Sequence, residues 1–148
     1  MRTTIAFALV AALAACSANK ASVDDAGARK LLLDRNWIDH MPKTERDRLH
    51  VYRFVPTMGG GVFQDRTLYK GTFELFRFTT RGDEIEFDLP ETGQDVVSKF
   101  RIEPVDGPAP FDLKLTIEAD PRGPSVYYGI RAETDRDGQA LEHRLLSR

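Results

Sequence analysis

The sequence contains a single cysteine, Cys16, and this shortage limits how the folded protein can be held together. Without a second thiol no internal disulfide can form, so stability must come from a hydrophobic core. The 148-residue chain is long enough to build such a core, and its length corresponds to one domain.

Basic residues are not in excess either, because 21 lysines and arginines face 23 aspartates and glutamates and give a net charge of −2. A nucleic-acid-binding domain needs a basic patch or stripe, so the composition predicts no nucleic-acid partner. Long apolar runs are also missing. The longest one, residues 5–15, is shorter than the roughly 20 residues with which a helix crosses a bilayer.

The common motifs of catalytic and metal sites are absent as well. His40, His50 and His143 have no second histidine at the spacing that a local metal site uses, i, i+2 on a strand or i, i+4 on a helix. No Gly-x-Ser-x-Gly segment marks a serine nucleophile, and the glycines at 59–61 are not followed by the Lys-Ser/Thr of a phosphate loop. We therefore predict no metal, no cofactor and no enzymatic activity, and we interpret the glycines as a hairpin connection.

An apolar leader begins the chain. Arg2 supplies a positive charge, residues 5–15 are almost entirely apolar, and Ala14 and Ala15 are small residues at the end of the run. A positive start, an apolar run of about a dozen residues and a small-residue cleavage site are typical of a secretory signal peptide. We predict that residues 1–15 are this signal.

The end of the leader, Leu13-Ala14-Ala15-Cys16, resembles the lipobox of bacterial lipoproteins, in which an aliphatic and two small residues precede cysteine. The resemblance implies cleavage before Cys16, a thioether between its sulfur and diacylglycerol, and acylation of the new amine with a palmitate-like chain. Two or three acyl chains anchor a protein stably, at about 0.8 kcal/mol per buried CH₂. The alternative, an ordinary signal peptide, would leave an unpaired thiol in an oxidising compartment.

This anchor predicts a location at the bacterial cell envelope, with the membrane contacted through the lipid on Cys16. In a Gram-negative host an aspartate after the cysteine is the usual retention signal, and this chain has Ser17 there. For a Gram-negative host the resemblance therefore implies the outer membrane, with the protein facing the periplasm.

A small, polar segment follows the cysteine, and we predict that residues 16–30 are a flexible tether and residues 31–148 a β-barrel domain. A short helix starting at Asp24 or Asp25 is the alternative for this part of the chain. Aspartate caps helices, and the alanines at 26 and 28 favour helix.

From residue 49 onward the chain consists of short segments rich in β-branched and aromatic residues. Leu49–Val55 ends at Pro56, and in Glu84–Leu89 apolar and acidic residues alternate strictly. The remaining predicted strands cover residues 31–38, with Trp37 as a plug at one end of the barrel, and 62–69, 72–80, 96–103, 111–118 and 126–130. A hairpin turn is predicted at 81–83, and the tail at 140–146 suits either a closing strand or a short helix.

One predicted strand breaks the alternation. In residues 73–78 the apolar positions change phase between Leu75 and Phe76. We interpret this change as a β-bulge or a sharp bend, of the kind that helps to close a small barrel, with burial of both faces as the alternative.

About eight strands thus follow one another with short connections, and no long amphipathic helix separates them. Parallel strands need crossovers of about a dozen residues, so the strands are predicted to be antiparallel. Each clear strand has one apolar face, which must close on a single core. We predict an all-β, antiparallel up-and-down barrel, with a Greek-key β-sandwich as the alternative.

A first strand carrying Asn36-Trp37, followed by hairpins, is similar to the lipocalin-like (calycin) small barrels found in bacterial lipoproteins. Those families usually have Gly-x-Trp in this strand, whereas this chain has Arg35-Asn36-Trp37. The resemblance covers residues 31–132. An eight-stranded barrel either fills itself with side chains or holds one small ligand.

Two functions are consistent with these features. In the first, the anchored barrel binds a small apolar ligand in an aromatic pocket. In the second, the core is filled, and the surface or an open edge of the barrel joins an envelope protein assembly. The residues predicted to line a pocket are Trp37, Tyr52, Phe54, Phe76, Phe100, Phe111 and Tyr128.

Overall fold

A computed structural model gives the structure of the protein and describes residues 23–133. The chain forms a closed barrel of eight antiparallel strands in sequential order, preceded by one short helix. The predicted up-and-down barrel is confirmed, and the sandwich alternative is wrong. The strands are β1 (Asn36–Ile38), β2 (Leu49–Val55), β3 (Gly60–Arg66), β4 (Gly71–Arg81), β5 (Glu84–Leu89), β6 (Gln94–Pro104), β7 (Leu113–Ile117) and β8 (Val126–Gly129).

The helix, α1 (Asp25–Leu32), is the short helix considered as an alternative for this part of the chain. It begins after Asp24, whose carboxylate accepts a hydrogen bond of 2.7 Å from the backbone N–H of Gly27. Ala28 and Leu32 are buried against the barrel. The first strand is therefore shorter than predicted, because the leucines before residue 33 belong to the helix. Within the described residues no helix is long and apolar enough to cross a membrane.

The two ends of the barrel differ in character. One end, which we call the helix end, carries α1 and the turns at 56–59 and 82–83. The opposite end, which we call the polar end, carries the connections at 39–48, 67–70, 90–93 and 118–125. The predicted hairpin at 81–83 is confirmed, because β4 and β5 pair up to Arg81 and Glu84, and Gly82 has a φ of +59° that favours glycine.

The barrel closes where β1 meets β8, through the pair of Ile38 with Tyr128. This short contact is reinforced by Arg35, which occupies the position of glycine in the Gly-x-Trp motif. Its Nη1 donates hydrogen bonds to the backbone oxygens of Ile130, at 2.9 Å, and Arg131, at 3.2 Å. The buried Arg35 side chain thus ties the start of β1 to the chain after β8.

β4 pairs with its neighbours without a bulge, so the interpretation of its sequence as a bulge is wrong. Its register with β3 is continuous from Gly71 to Phe76 and sets Glu74 opposite the buried Phe63. Glu74 and Phe76 therefore face inward, and Phe73 and Leu75 face outward. The apolar residues change phase because Phe73 and Leu75 lie on the solvent side, where they are 68% and 64% exposed.

Candidate functional site

Aromatic side chains fill the lumen of the barrel. Tyr52 is fully buried at its centre. Ring centroids lie within about 4.5–7 Å of each other in packed aromatic pairs. The Tyr52 ring has five such neighbours: Phe63 at 4.8 Å, Tyr127 at 5.1 Å, Phe54 at 5.4 Å, Phe76 at 5.6 Å and Phe87 at 6.1 Å. The centre of the barrel is thus occupied by the protein's own rings.

The residues predicted to line a pocket fall into two groups. Trp37, Tyr52, Phe54, Phe76 and Phe100 lie together in the lumen core. Phe111 and Tyr128 lie instead in a second apolar cluster with Ile38, Leu49 and Val51, on the outer side of β1 and β2, with their rings 5.7 Å apart.

Sequence reasoning missed Tyr127, because it predicted that Tyr128, the next residue along the strand, faces the pocket. The structure places the fully buried Tyr127 in the lumen core. Gly129, two residues later, faces inward too, since a Cβ there would lie 2.9 Å from the Trp37 ring. The glycine at 129, which leaves room for the Trp37 ring, was the sequence signal that residues 127 and 129 face the lumen.

A half-buried carboxylate at the polar end joins two strands of the barrel. Asp120, in the β7–β8 connection, accepts hydrogen bonds from the hydroxyl of Tyr52 at 2.8 Å and from that of Tyr127 at 2.6 Å. It also accepts a bond of 2.9 Å from the backbone N–H of Arg122. Each buried phenol hydroxyl, which would be costly to bury without a hydrogen-bond partner, therefore has one in Asp120.

These contacts make the two tyrosines resistant to ionisation. Burial, together with the negative charge of Asp120, raises the pKa of Tyr52 and of Tyr127 far above the ordinary value. Because the folded-state pKa values lie above the unfolded value of about 10, the tyrosines contribute their full stability below that pH. Above it, unfolding becomes more favourable by about 1.4 kcal/mol per pH unit for each tyrosine.

We therefore expect that Tyr52 and Tyr127 ionise only when the barrel unfolds at alkaline pH. Absorbance of tyrosinate and circular dichroism, recorded together against pH, should show two tyrosines titrating in the unfolding step. The exposed Tyr69 should titrate before it, so Tyr69→Phe should remove early absorbance and leave the unfolding step in place. Ionisation of three or more tyrosines in a barrel that still gives its folded spectrum would contradict the expectation.

Arg122 closes the polar end above the aromatic core. Its guanidinium side chain is only 6% exposed and forms ion pairs with Glu74 and, at 3.6 Å, with Glu91. The same group lies over the rings of Phe63 and Phe76, 5.2 and 5.6 Å from their centroids. Burial lowers the pKa of the Arg122 guanidinium. The inward charge of Glu74 is therefore balanced by an arginine from a distant loop.

His50 lies beside this arginine at the polar end. Its Nδ1 is 2.7 Å from Asp39, and Asp39 also accepts the backbone N–H of His50 at 3.0 Å. The imidazole stacks on Phe63, with 5.8 Å between centroids. The Nδ1 nitrogen therefore donates its proton to the Asp39 carboxylate. The other ring nitrogen, Nε2, lies on the opposite side of the ring, 3.9 Å from Asp65. These carboxylates are distant in sequence, and the local spacing of the histidines gave no signal of the cluster.

A shallow pocket of about 280 Å³ lies between these groups and is lined by His50, Glu91 and Arg122, among others. Chemically, the imidazole can hold a proton at Nε2, and the carboxylates can accept hydrogen bonds. Among residues 23–133 no group of three or more histidine, cysteine or acidic side chains is arranged to hold a metal ion.

The outer face of β3 and β4 exposes several apolar side chains. Leu75 pairs with Val62 across the two strands, and Phe73 lies two residues from Leu75 on the same face. Met58, in the turn that precedes β3, is 76% exposed. A groove of about 350 Å³ runs here between Met58, Val62, Leu75 and Pro90. We call Met58, Val62, Phe73 and Leu75 the apolar face.

The lipobox residues Leu13, Ala14, Ala15 and Cys16 lie outside the described residues, as does the tail at 140–146, which was predicted as strand or helix. Comparison of the chain with protein-family models, with curated proteins and with solved structures finds no match. The fold and the geometry of its surface are therefore the basis for a functional proposal.

Proposed function

We propose that the protein is a lipid-anchored, lipocalin-like barrel of the bacterial envelope that acts as an interaction module. In this proposal Cys16 carries the lipid, and the barrel binds another protein through its outer surface. The observation that favours an interaction module over a ligand carrier is the packing around Tyr52, whose ring is surrounded by five others in the lumen.

A carrier of the lipocalin type needs lumen volume for its ligand, and this volume is taken by side chains. Inserting a ligand between Tyr52 and its neighbours would break ring contacts that stabilise the fold by about 0.5–1.5 kcal/mol per pair beyond area burial. It would also separate Tyr52 and Tyr127, which share the carboxylate of Asp120. Ligand entry would thus oppose the interactions that hold the barrel together.

The anchor would keep the barrel close to the membrane. Seven residue steps separate Cys16 from Val23, where the described chain begins. A fully extended chain spans at most about 3.5 Å per residue, so the barrel would stay within roughly 25 Å of the lipid. A short tether and a packed domain suit a protein that meets its partners at the membrane surface.

Intact-mass spectrometry of the full chain extracted from membranes tests both parts of the proposal. Under denaturing conditions we expect the mass of the chain from Cys16 onward plus its acyl groups. Under native conditions we expect the same mass per chain, with no small molecule retained. The matched control is Cys16→Ser, which should lose the acyl mass.

Two results would contradict the proposal separately. Acyl mass that persists in Cys16→Ser would show that the lipid is attached elsewhere. A constant extra mass, present only under native conditions, would favour the ligand carrier and make the aromatic lumen residues its binding site.

A further inference from the structure

The β3–β4 hairpin leaves one backbone edge without a partner strand. β3 pairs with β4 from Gly71 to Phe76, but β5 pairs only with Arg77–Arg81. β5 ends at Leu89, and the chain then turns into β6. Among the described strands none pairs with the second edge of residues 71–75. Backbone N–H and C=O groups along such an edge are free to pair with another chain.

The side chains along this edge do not block pairing. Natural edges are usually protected by lysine, proline, bulges or inward charges. Residues 71–75 contain no lysine or proline, and the strand has no bulge. The inward charge of Glu74 is balanced by Arg122. On the outward side the edge presents Phe73 and Leu75, both largely exposed.

We propose that this edge is the interface of a symmetric homodimer, in which β4 of one protomer pairs antiparallel with β4 of a second copy. The inference deepens the proposed interaction function by naming a partner, and it rests on that function only for the assumption that the barrel acts through its surface. Closed dimers with a twofold axis are the commonest protein oligomers, and they require a self-complementary patch.

The sequence of the edge fits itself best with the axis at Phe73. The two Phe73 side chains then face each other, each Leu75 lies over the partner's Gly71, and each Glu74 lies opposite the partner's Thr72. An axis at Glu74 would instead set two carboxylates directly opposite each other, which destabilises a strand pair. The axis at Phe73 also uses residues 71–75 alone.

This arrangement covers two of the most exposed apolar side chains of the barrel, Phe73 and Leu75. Cross-strand aromatic pairs stabilise antiparallel sheets, and the Phe73 pair would be extended on both sides by Leu75. Val62, already paired with Leu75 within the hairpin, continues the covered surface. The same pairing satisfies backbone groups of β4 that face solvent in the single chain.

Cysteine cross-linking in the full chain tests the interface. Directly opposite residues have Cβ atoms about 4.5–5.5 Å apart, close to the distance that a disulfide spans. Phe73→Cys should therefore give a covalent dimer on mild oxidation. The matched control is Gln64→Cys, which lies beside Phe73 on the same face but one strand further from the axis. With strands about 4.8 Å apart, the two Gln64 positions would be roughly 15 Å apart, too far for a disulfide.

Peptide mapping of the oxidised chains identifies which cysteines are joined. A 73–73 bond in Phe73→Cys, with no 64–64 bond in Gln64→Cys, supports the dimer. Absence of the 73–73 bond, or equal yields from both variants, overturns it. A disulfide between two Cys16 residues would show that this thiol is free and so contradict the proposed anchor. It would not change the result of the dimer test at position 73.

Sedimentation of the full chain in detergent provides a second measurement. The wild type should sediment as a dimer, and Phe73→Lys should sediment as a monomer, because two lysines would face each other at the axis. Phe73 is exposed, so the lysine should leave the barrel folded. A wild type that remains monomeric at all concentrations, or a dimer that is unaffected by Phe73→Lys, would overturn the proposal.

Discussion

Asp120→Ala is expected to lower the free energy of unfolding by about 3 kcal/mol, since a buried donor left unsatisfied costs about 1–3 kcal/mol. The substitution removes the acceptor of the Tyr52 and Tyr127 hydroxyls, and both of these side chains are fully buried. It also releases the backbone N–H of Arg122 and thus loosens the loop that brings this arginine over the core. Urea unfolding followed by tryptophan fluorescence measures the loss.

Asp47→Ala is the matched control. Asp47 also accepts three hydrogen bonds, from the backbone N–H groups of Lys43 and Thr44 and from the Thr44 hydroxyl, but both donor residues are exposed. Water can replace those bonds, so the loss of stability should be much smaller than for Asp120→Ala. Equal losses for the two variants would show that the number of hydrogen bonds matters and burial of the donors does not.

A second comparison separates the unsatisfied hydroxyls from other effects of the substitution. In a chain that already carries Tyr52→Phe and Tyr127→Phe, no phenol hydroxyl needs Asp120. Removing both partners of a buried hydrogen bond costs far less than removing one. Asp120→Ala should therefore be much less destabilising in that background, and an undiminished loss would contradict the assigned role of the carboxylate.

The strands could be predicted from the sequence wherever local signals agree. In Leu49–Val55 the β-branched and aromatic residues end at a proline, and in Glu84–Leu89 the strict alternation states which face is buried. Both segments are strands with the predicted bounds. The order of the strands followed as well, because short connections leave few arrangements other than neighbouring antiparallel pairs.

The prediction for β4 was wrong because a residue distant in sequence allows a charged side chain to face the lumen. Glu74 faces inward because Arg122, from the β7–β8 connection, supplies the opposite charge. No local pattern around Arg122 indicates that its side chain reaches Glu74. Periodicity describes one strand at a time, so it assigned the charged residue to solvent and the apolar residues Phe73 and Leu75 to the core, and it then required a bulge.

The candidate site was less predictable than the fold for the same reason. Asp39 with His50, and Asp120 with two tyrosines, are separated by 11, 68 and 7 residues, respectively. No regular local spacing links these groups, and the barrel alone brings them together. The aromatic composition of the lumen was predictable, whereas its filled state depends on ring positions in three dimensions.

The second large effect is expected at Trp37, whose replacement by alanine should lower the free energy of unfolding by about 4 kcal/mol, in the range of large-to-small core substitutions. The indole is fully buried, and its Nε1 donates a hydrogen bond of 3.0 Å to the backbone oxygen of Leu32 at the end of α1. Its ring packs against Gly129 of β8. One side chain thus joins the helix to the strands at the closure of the barrel.

Circular dichroism must follow this unfolding, because Trp37 is the only tryptophan. Trp37→Phe is the matched control: it keeps an aromatic ring beside Gly129 and loses only the bond to Leu32 and part of the ring volume. Its loss of stability should be less than half that of Trp37→Ala. Similar losses for the two variants would show that the hydrogen bond to α1, and not ring packing, dominates.

Gly129→Ala tests the contact from the opposite side. In the wild type the added Cβ would lie 2.9 Å from two atoms of the Trp37 ring, so the ring must shift and the barrel should lose stability. In Trp37→Ala the space is empty, and the same methyl group should be neutral or favourable. The two substitutions should therefore be strongly non-additive. Additive losses would mean that Gly129 is required for its backbone conformation alone, and that the tryptophan does not fix the inward phase of β8.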